Sequence, residues 1–311
     1  MTGPVRSLLR ASAEMKRSSP VFIVGEARSG TSILYRTLQK HSSFSPREVN
    51  LAETNIFAHL RRTFMFDQTY PETLQQFMLG DRRAYQEFLR SIRALRVVSA
   101  LWVGPNYLLR DRAAWLWYAN LNHLVLRSYF FHAARARGCR RLVEKTPTNT
   151  PNLAKLTRTF PRARLLYVHR HPVEVFGSYR RRARADPNAT WANLTPDDFC
   201  RTWQASTERV LAWLASGNEN LRLVRYEAFT QEPDVEFERI CAFLDEPFEQ
   251  EAVEERHPDL TRWRGDPLLW GPVVRQTRAW TDHVTMAEAE YVQQRLQPVM
   301  DALGYEPYPV S

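Results

Sequence analysis

Residues 21–32 read Val21-Phe22-Ile23-Val24-Gly25-Glu26-Ala27-Arg28-Ser29-Gly30-Thr31-Ser32. Four apolar residues end at a glycine, a polar turn with a second glycine follows, and Ile33, Leu34, Thr37 and Leu38 then mark one face of a helix. Strand, glycine loop and helix in that order form the opening unit of a parallel α/β sheet. The frame Gly25-x4-Gly30-Thr31-Ser32 suits a phosphate, because glycines let consecutive backbone N–H groups converge on phosphate oxygens at the positive end of the next helix. Arg28 adds a fixed positive charge inside the loop, and Ser29, Thr31 and Ser32 add hydroxyl donors. An NTP-hydrolysing loop needs a lysine straight after its second glycine; Thr31 stands there. The run Leu165 to Val168 leads into His169-Arg170-His171, where an NTPase often offers magnesium an acidic residue. The loop fits a phosphate and lacks the metal apparatus of a kinase or ATPase.

Outward from the loop, Arg164 to Val168 and Leu221 to Val224 read as buried strands, with a weaker one at Arg141 to Val143. Helical patterns lie between them at Asn152 to Phe160 and Pro172 to Arg184. A helix from Pro196 to Ser216 has Thr195 as N-cap, Asp197 and Asp198 in its positive first turn, and Gly217 as its stop. Thr285 and Glu288 have capping-box spacing and open a final helix towards Leu303. Residues of about 56–135, dense in aromatics and arginine, read as a helical insertion or lid. Aromatic residues there, Phe57, Phe64, Phe66, Trp102, Trp115 and Trp117 among them, line either an acceptor pocket or an ordinary core. The expectation is a single domain over residues 1–311 with a flexible N-terminus at 1–19.

The chain has 311 residues with a formal net charge of +9, and lysine occurs only at Lys16, Lys40, Lys145 and Lys155. An arginine-dominated surplus suits phosphate and sulfate, which the planar guanidinium grips as a fork. The three cysteines, Cys139, Cys200 and Cys241, are scattered and form no zinc or disulfide pattern, as in a reducing compartment. The first twenty residues carry charges without an apolar core between them, and Trp115 to Phe131 is broken by polar residues. A soluble, cytoplasmic protein with no membrane span is expected.

Three blocks together resemble the sulfotransferases that use 3′-phosphoadenosine 5′-phosphosulfate (PAPS). The loop is similar to their P-R/K-S-G-T-T segment, with Ala27 for proline and Ser32 for the second threonine. Glu144-Lys145-Thr146-Pro147, followed by Arg170-His171-Pro172 and Ser178, resembles the E-K-T-P segment and the 3′-phosphate motif R-D/N-P with its later serine. His171 departs from the usual aspartate or asparagine. Val224-Arg225-Tyr226-Glu227-Ala228-Phe229 then resembles R-Y-E-D-L. The matches run from about residue 20 to 245 in the family's order, in the style of the tyrosylprotein branch. Arg278, Trp280 and Leu303-Gly304-Tyr305 are a weaker match to its C-terminal end.

The resemblance implies an α/β fold of the P-loop nucleotide-binding type, a central parallel sheet flanked by helices, with the helical insertion over the acceptor side. It implies transfer of a sulfuryl group from PAPS to a hydroxyl or amine, releasing adenosine 3′,5′-bisphosphate (PAP), with no metal required. By the same carry-over, Arg28, Ser29, Gly30, Thr31 and Ser32 hold the 5′-phosphosulfate, and Lys145 is the second cation. Arg170 and Ser178 take the 3′-phosphate, and Tyr226 lies near the adenine. For the base, a histidine two residues after the lysine is ruled out by Pro147. A glutamate after the loop helix takes its place: Glu53 in Ala52-Glu53-Thr54, with Glu48 better matched in distance from the loop and Glu144 a third candidate. The acceptor is a small molecule, a carbohydrate or a peptide, and no nucleic acid is expected. Two rival readings stand beside this one, a small-molecule kinase on the same loop and an anion- or nucleic-acid-binding module built on Arg180-Arg181-Arg182 and Arg184. More often such a run is a solvated helix face.

Overall fold

The computed structural model of the chain describes residues 3–44, 53–54, 82–83, 86–88, 90, 112–254, 272–273 and 280–309. The order of elements is α1 (Gly3–Arg17), β1 (Val21–Gly25), α2 (Thr31–Lys40), α3 (Arg112–Arg137), β2 (Val143–Lys145), α4 (Leu153–Thr159), β3 (Arg164–His169), α5 (Pro172–Ala185), α6 (Pro196–Ala215), β4 (Leu221–Arg225), α7 (Tyr226–Gln231), α8 (Pro233–Leu244), α9 (Glu251–Glu254) and α10 (Met286–Ala302). The four strands form one sheet in the order β2-β1-β3-β4. β3 and β4 run parallel, from Leu165 beside Leu221 to His169 beside Arg225. The fold is α/β, as the strand–loop–helix pattern implies. Every residue of β1 is buried, which explains its unbroken apolar run: a parallel strand covered on both faces has no polar side to alternate with.

The chain divides into two compact units, one of Met1–Phe22, Leu38–Thr146 and Asn152–Arg164, the other of Ile23–Thr37, Pro147–Pro151 and Leu165–Ser311. In the first, the Phe22, Phe130 and Phe160 rings meet with centroids 5.2–5.5 Å apart. Residues 3–17, expected to be flexible, form α1, because Ala11, Ser12 and Met15 fall on one helical face and are buried. Of the expected insertion at about 56–135, residues 56–81 and 91–111 lie outside the described residues. α3 covers its end and confirms the helix read at Trp115 to Phe131. β2 lies at Val143–Lys145 rather than Arg141–Val143, with polar side chains where an apolar run was sought.

In the second unit, α5, α6 and α10 share a core built around Phe176, Phe199, Trp203, Val292, Leu296 and Met300. α6 starts as expected, with the Thr195 hydroxyl accepting from the Asp198 N–H at 3.1 Å. The capping box at Thr285 and Glu288 is complete, a device worth roughly 1 kcal/mol. Among the described residues no helix is long and apolar enough to cross a membrane.

Candidate active site

In the second unit the loop leaves β1 through Gly25, where a Cβ would lie 2.5 Å from the Val168 carbonyl oxygen of β3. Arg28 then takes a left-handed backbone, φ 70°, and Gly30 follows at φ 101°. Alternating handedness turns successive N–H groups towards one concave point, the nest that binds anions. Gly30 is required twice over, because a Cβ there would also sit 2.3 Å from Cδ2 of Tyr226. Thr31 and Ser32 open α2, with Thr31 buried and Ser32 half-buried.

Helix α5 grips this loop through two adjacent residues. The Arg28 Nε donates to the Ser178 hydroxyl at 3.1 Å, and the Tyr179 hydroxyl donates to the Glu26 carboxylate at 2.6 Å. Burial pushes the Glu26 carboxyl up. Burial, then the Glu26 charge, pushes the Tyr179 hydroxyl up as well, so the phenol stays protonated and remains a donor. The Arg170 guanidinium lies 4.4 Å from the centre of the Tyr226 ring and donates to Glu174 at 2.9 Å. Tyr226 is therefore a spacer between the loop glycine and Arg170. Only 4% exposed, it presents little free face to an adenine.

Buried side-chain atoms here without a hydrogen-bond partner among the described residues include the Ser29 hydroxyl oxygen, Arg170 Nε and His171 Nδ1. Native structures leave few such atoms. One orphan in the phosphate loop and another on the expected 3′-phosphate arginine fit a ligand carrying phosphate at both places. His171, which departs from the family pattern, sits at the N-cap of α5 without capping it. Its ring is buried against Tyr308, and burial pushes its pKa down to about 4.

The first unit holds a separate cluster of charges. Lys145, with a side chain 4% exposed, pairs with Glu53, whose side chain is 38% exposed. Glu144 is fully buried and accepts from the Thr54 hydroxyl at 2.8 Å and from Thr146. Burial pushes the Glu144 carboxyl up, and the nearby Glu53 charge adds to the rise. Glu144 thus anchors the segment next to Glu53, while only Glu53 of the two is open to solvent. Glu48 and Arg278 lie outside the described residues.

Residues 20–250 match a family model described as "Sulfotransferase family". The chain belongs to the sulfotransferase family. It is a PAPS-dependent enzyme that moves a sulfuryl group to an acceptor, and the kinase and binding-module readings fall away. The sulfotransferase domain from the curacin biosynthetic pathway is similar at TM-score 0.56 and 20% identity, covering 94% of this chain and 99% of that one. The sulfotransferase domain of the Synechococcus PCC 7002 olefin synthase is similar at TM-score 0.54 and 16% identity, over 94% and 98%. The sulfotransferase STF9 from Mycobacterium avium reaches TM-score 0.51 at 15% identity, over 96% and 83%. At these identities the likeness speaks for the fold. No curated protein matches the chain.

The sulfotransferase motifs led to Arg28, Ser178, Gly30, Tyr226 and Arg170, and the structure brings all five together in one unit. They did not point to Glu26, Tyr179, Glu174 or Thr54. The only signals for the first two were an acidic residue in a phosphate loop and a tyrosine beside the motif serine. The arginine run is largely spoken for: Arg180 pairs with Glu288 at 2.6 Å, Arg182 with Asp186 at 2.6 Å, and Arg184 donates to the Asp282 carbonyl at 3.2 Å.

Proposed function

We propose that the loop cluster is the PAPS site of a metal-independent sulfotransferase domain, with a hydroxyl or amine of a small molecule, carbohydrate or peptide as acceptor. The observation that carries this reading is the Arg28–Ser178 hydrogen bond. It joins the residue assigned to the phosphosulfate end of the donor to one assigned to its 3′-phosphate. Ser29, Gly30, Thr31 and Ser32 complete the 5′ end with backbone N–H groups and hydroxyls. Arg170 joins Ser178 at the 3′-phosphate, with its orphan Nε as the spare donor.

In this reading Glu53 takes the acceptor proton as the acceptor atom bonds to sulfur and the sulfur–oxygen bond of the donor breaks. Negative charge grows on the former bridging oxygen, where fixed cations stabilise the transition state. The resemblance to sulfotransferases assigns that role to Arg28, with Lys145 as the second cation it implies. Glu53 is preferred over Glu144 because a base must reach solvent or substrate, and Glu144 is sealed by Thr54 and Thr146.

Calorimetric titration with PAP, against ATP plus magnesium, tests the assignment. Tight PAP binding that survives a chelator is expected. Preference for ATP with magnesium would overturn it.

A further inference from the structure

Arg170 lies two residues before α5 begins and Ser178 at the end of its second turn, and holding one phosphate requires their separation to be fixed. A helix start is normally fixed by a capping side chain, yet His171 at the N-cap makes no capping bond. A row of aromatic rings takes up that task. The His171 ring stacks on Tyr308 with centroids 3.9 Å apart, and Tyr308 stacks on Trp280 at 6.0 Å with planes 2° apart. Trp280 lies against Gly177, where a Cβ would come within 3.3 Å of its Cα and Cβ. The row therefore begins one residue after Arg170 and ends one residue before Ser178.

The row is pinned on its far side. Gln293 of α10 accepts from the Tyr308 N–H at 2.5 Å and donates to the Tyr308 carbonyl at 3.2 Å. The Glu306 carbonyl sits 3.2 Å from His171 Nε2. A carbonyl only accepts, so that nitrogen carries the proton. Glu227, next to Tyr226, accepts both from the His171 backbone N–H at 2.8 Å and from the Tyr305 hydroxyl at 3.1 Å.

We infer that the C-terminal strap, Tyr305 to Tyr308 with Trp280, is a positioning device that sets the Arg170–Ser178 spacing and thereby the enzyme's selectivity for a 3′-phosphorylated nucleotide. The inference rests on the assignment of Arg170 and Ser178 to that phosphate. It predicts that loosening the strap weakens PAP more than AMP, which lacks the 3′-phosphate.

The test is calorimetric titration of the full chain with PAP and with AMP, in the Tyr308→Ala, Gln293→Ala, Tyr308→Phe and Arg170→Ala variants. Arg170→Ala should cut the PAP-over-AMP preference at least about tenfold, the loss of a charge-assisted contact. Tyr308→Ala and Gln293→Ala should cut it roughly threefold to tenfold, the scale of coupling through packed side chains. Tyr308→Phe, which keeps the stack, should retain it. If Tyr308→Ala fails to fold, Gln293→Ala carries the test. Equal loss of PAP and AMP in the strap variants, or no loss, overturns the strap's role while Arg170→Ala still shows its effect. An unchanged preference in Arg170→Ala overturns the phosphate assignment itself.

Discussion

Arg28 and Lys145 are the two cations assigned to the reaction, and their units hold them in opposite ways. Arg28 is half-buried in a left-handed loop and donates to a neutral hydroxyl, Ser178. Lys145 is almost wholly buried and donates to a carboxylate, Glu53. A compact ammonium carried out of water needs a counter-charge, whereas a guanidinium spreads its charge and is less strongly hydrated. The loop half keeps donors in reserve, as at Ser29 and Arg170. The Lys145 half neutralises its charge in advance, so a reaction there has to exchange partners rather than fill a vacant place.

The sharpest way to separate the halves is to remove the proton acceptor alone. Glu53→Gln should lower turnover by roughly 10²–10⁴-fold while PAP affinity stays within about twofold, read by steady-state assay and calorimetry. Turnover that survives would transfer the role to Glu48. The converse break is Gly30→Ala, whose methyl would collide with Tyr226 in a backbone already left-handed. PAP affinity should fall roughly 10- to 100-fold, since losing a hydrogen bond to a charged group costs about 1.5–3 kcal/mol. Retained affinity would mean the loop reshapes freely.

Acid should strike the loop half through its histidines. Burial pushes His169 down to about 3 and His171 to about 4, from an ordinary 6.5. Their folded-state pKa values are depressed, so the stability they contribute is whole above about pH 6.5. It drains as pH falls towards 4, because the unfolded chain binds protons that the folded chain refuses. Each group costs on the order of 1.4 kcal/mol per pH unit across that window. Denaturant melts against pH should show the decline, and His171→Asn should make it shallower. An acid limb unchanged in that variant would count against the burial of His171.

The smallest effect tests one carboxyl in each half. Burial raises both Glu26 and Glu144. A raised acid costs stability as pH climbs from its ordinary value through its folded one. Glu26→Gln and Glu144→Gln, which keep an oxygen for the partner hydroxyls, should each melt about 2–4 °C higher at neutral pH. The gain should vanish in acid, and a drop in melting temperature at neutral pH would contradict it.

What could be read from the chain follows from which forces are local. β1, β3 and β4 announce themselves as apolar runs, and Thr195 and Thr285 cap their helices through residues three positions away. β2 was displaced by two residues because Glu144 and Lys145 are buried polar groups. Their compensation comes from Thr54 and Glu53, about ninety positions earlier. The loop and Arg170 were legible because their chemistry demands particular residues. The strap was not, since stacking between His171, Tyr308 and Trp280 is decided only when distant segments meet. The pattern placed Tyr226 near the adenine, and nothing local to it reveals the glycine and the guanidinium on its ring.

The left-handed backbone at Arg28 has a consequence for descent. A non-glycine residue at φ 70° is held against its own preference, at a cost on the order of 1 kcal/mol. The hydroxyl at position 178 is part of what holds it. Two codons 150 positions apart are thereby tied: a lineage that loses the serine comes under pressure to exchange the arginine, and the reverse. Among related chains, residues 28 and 178 are expected to drift together.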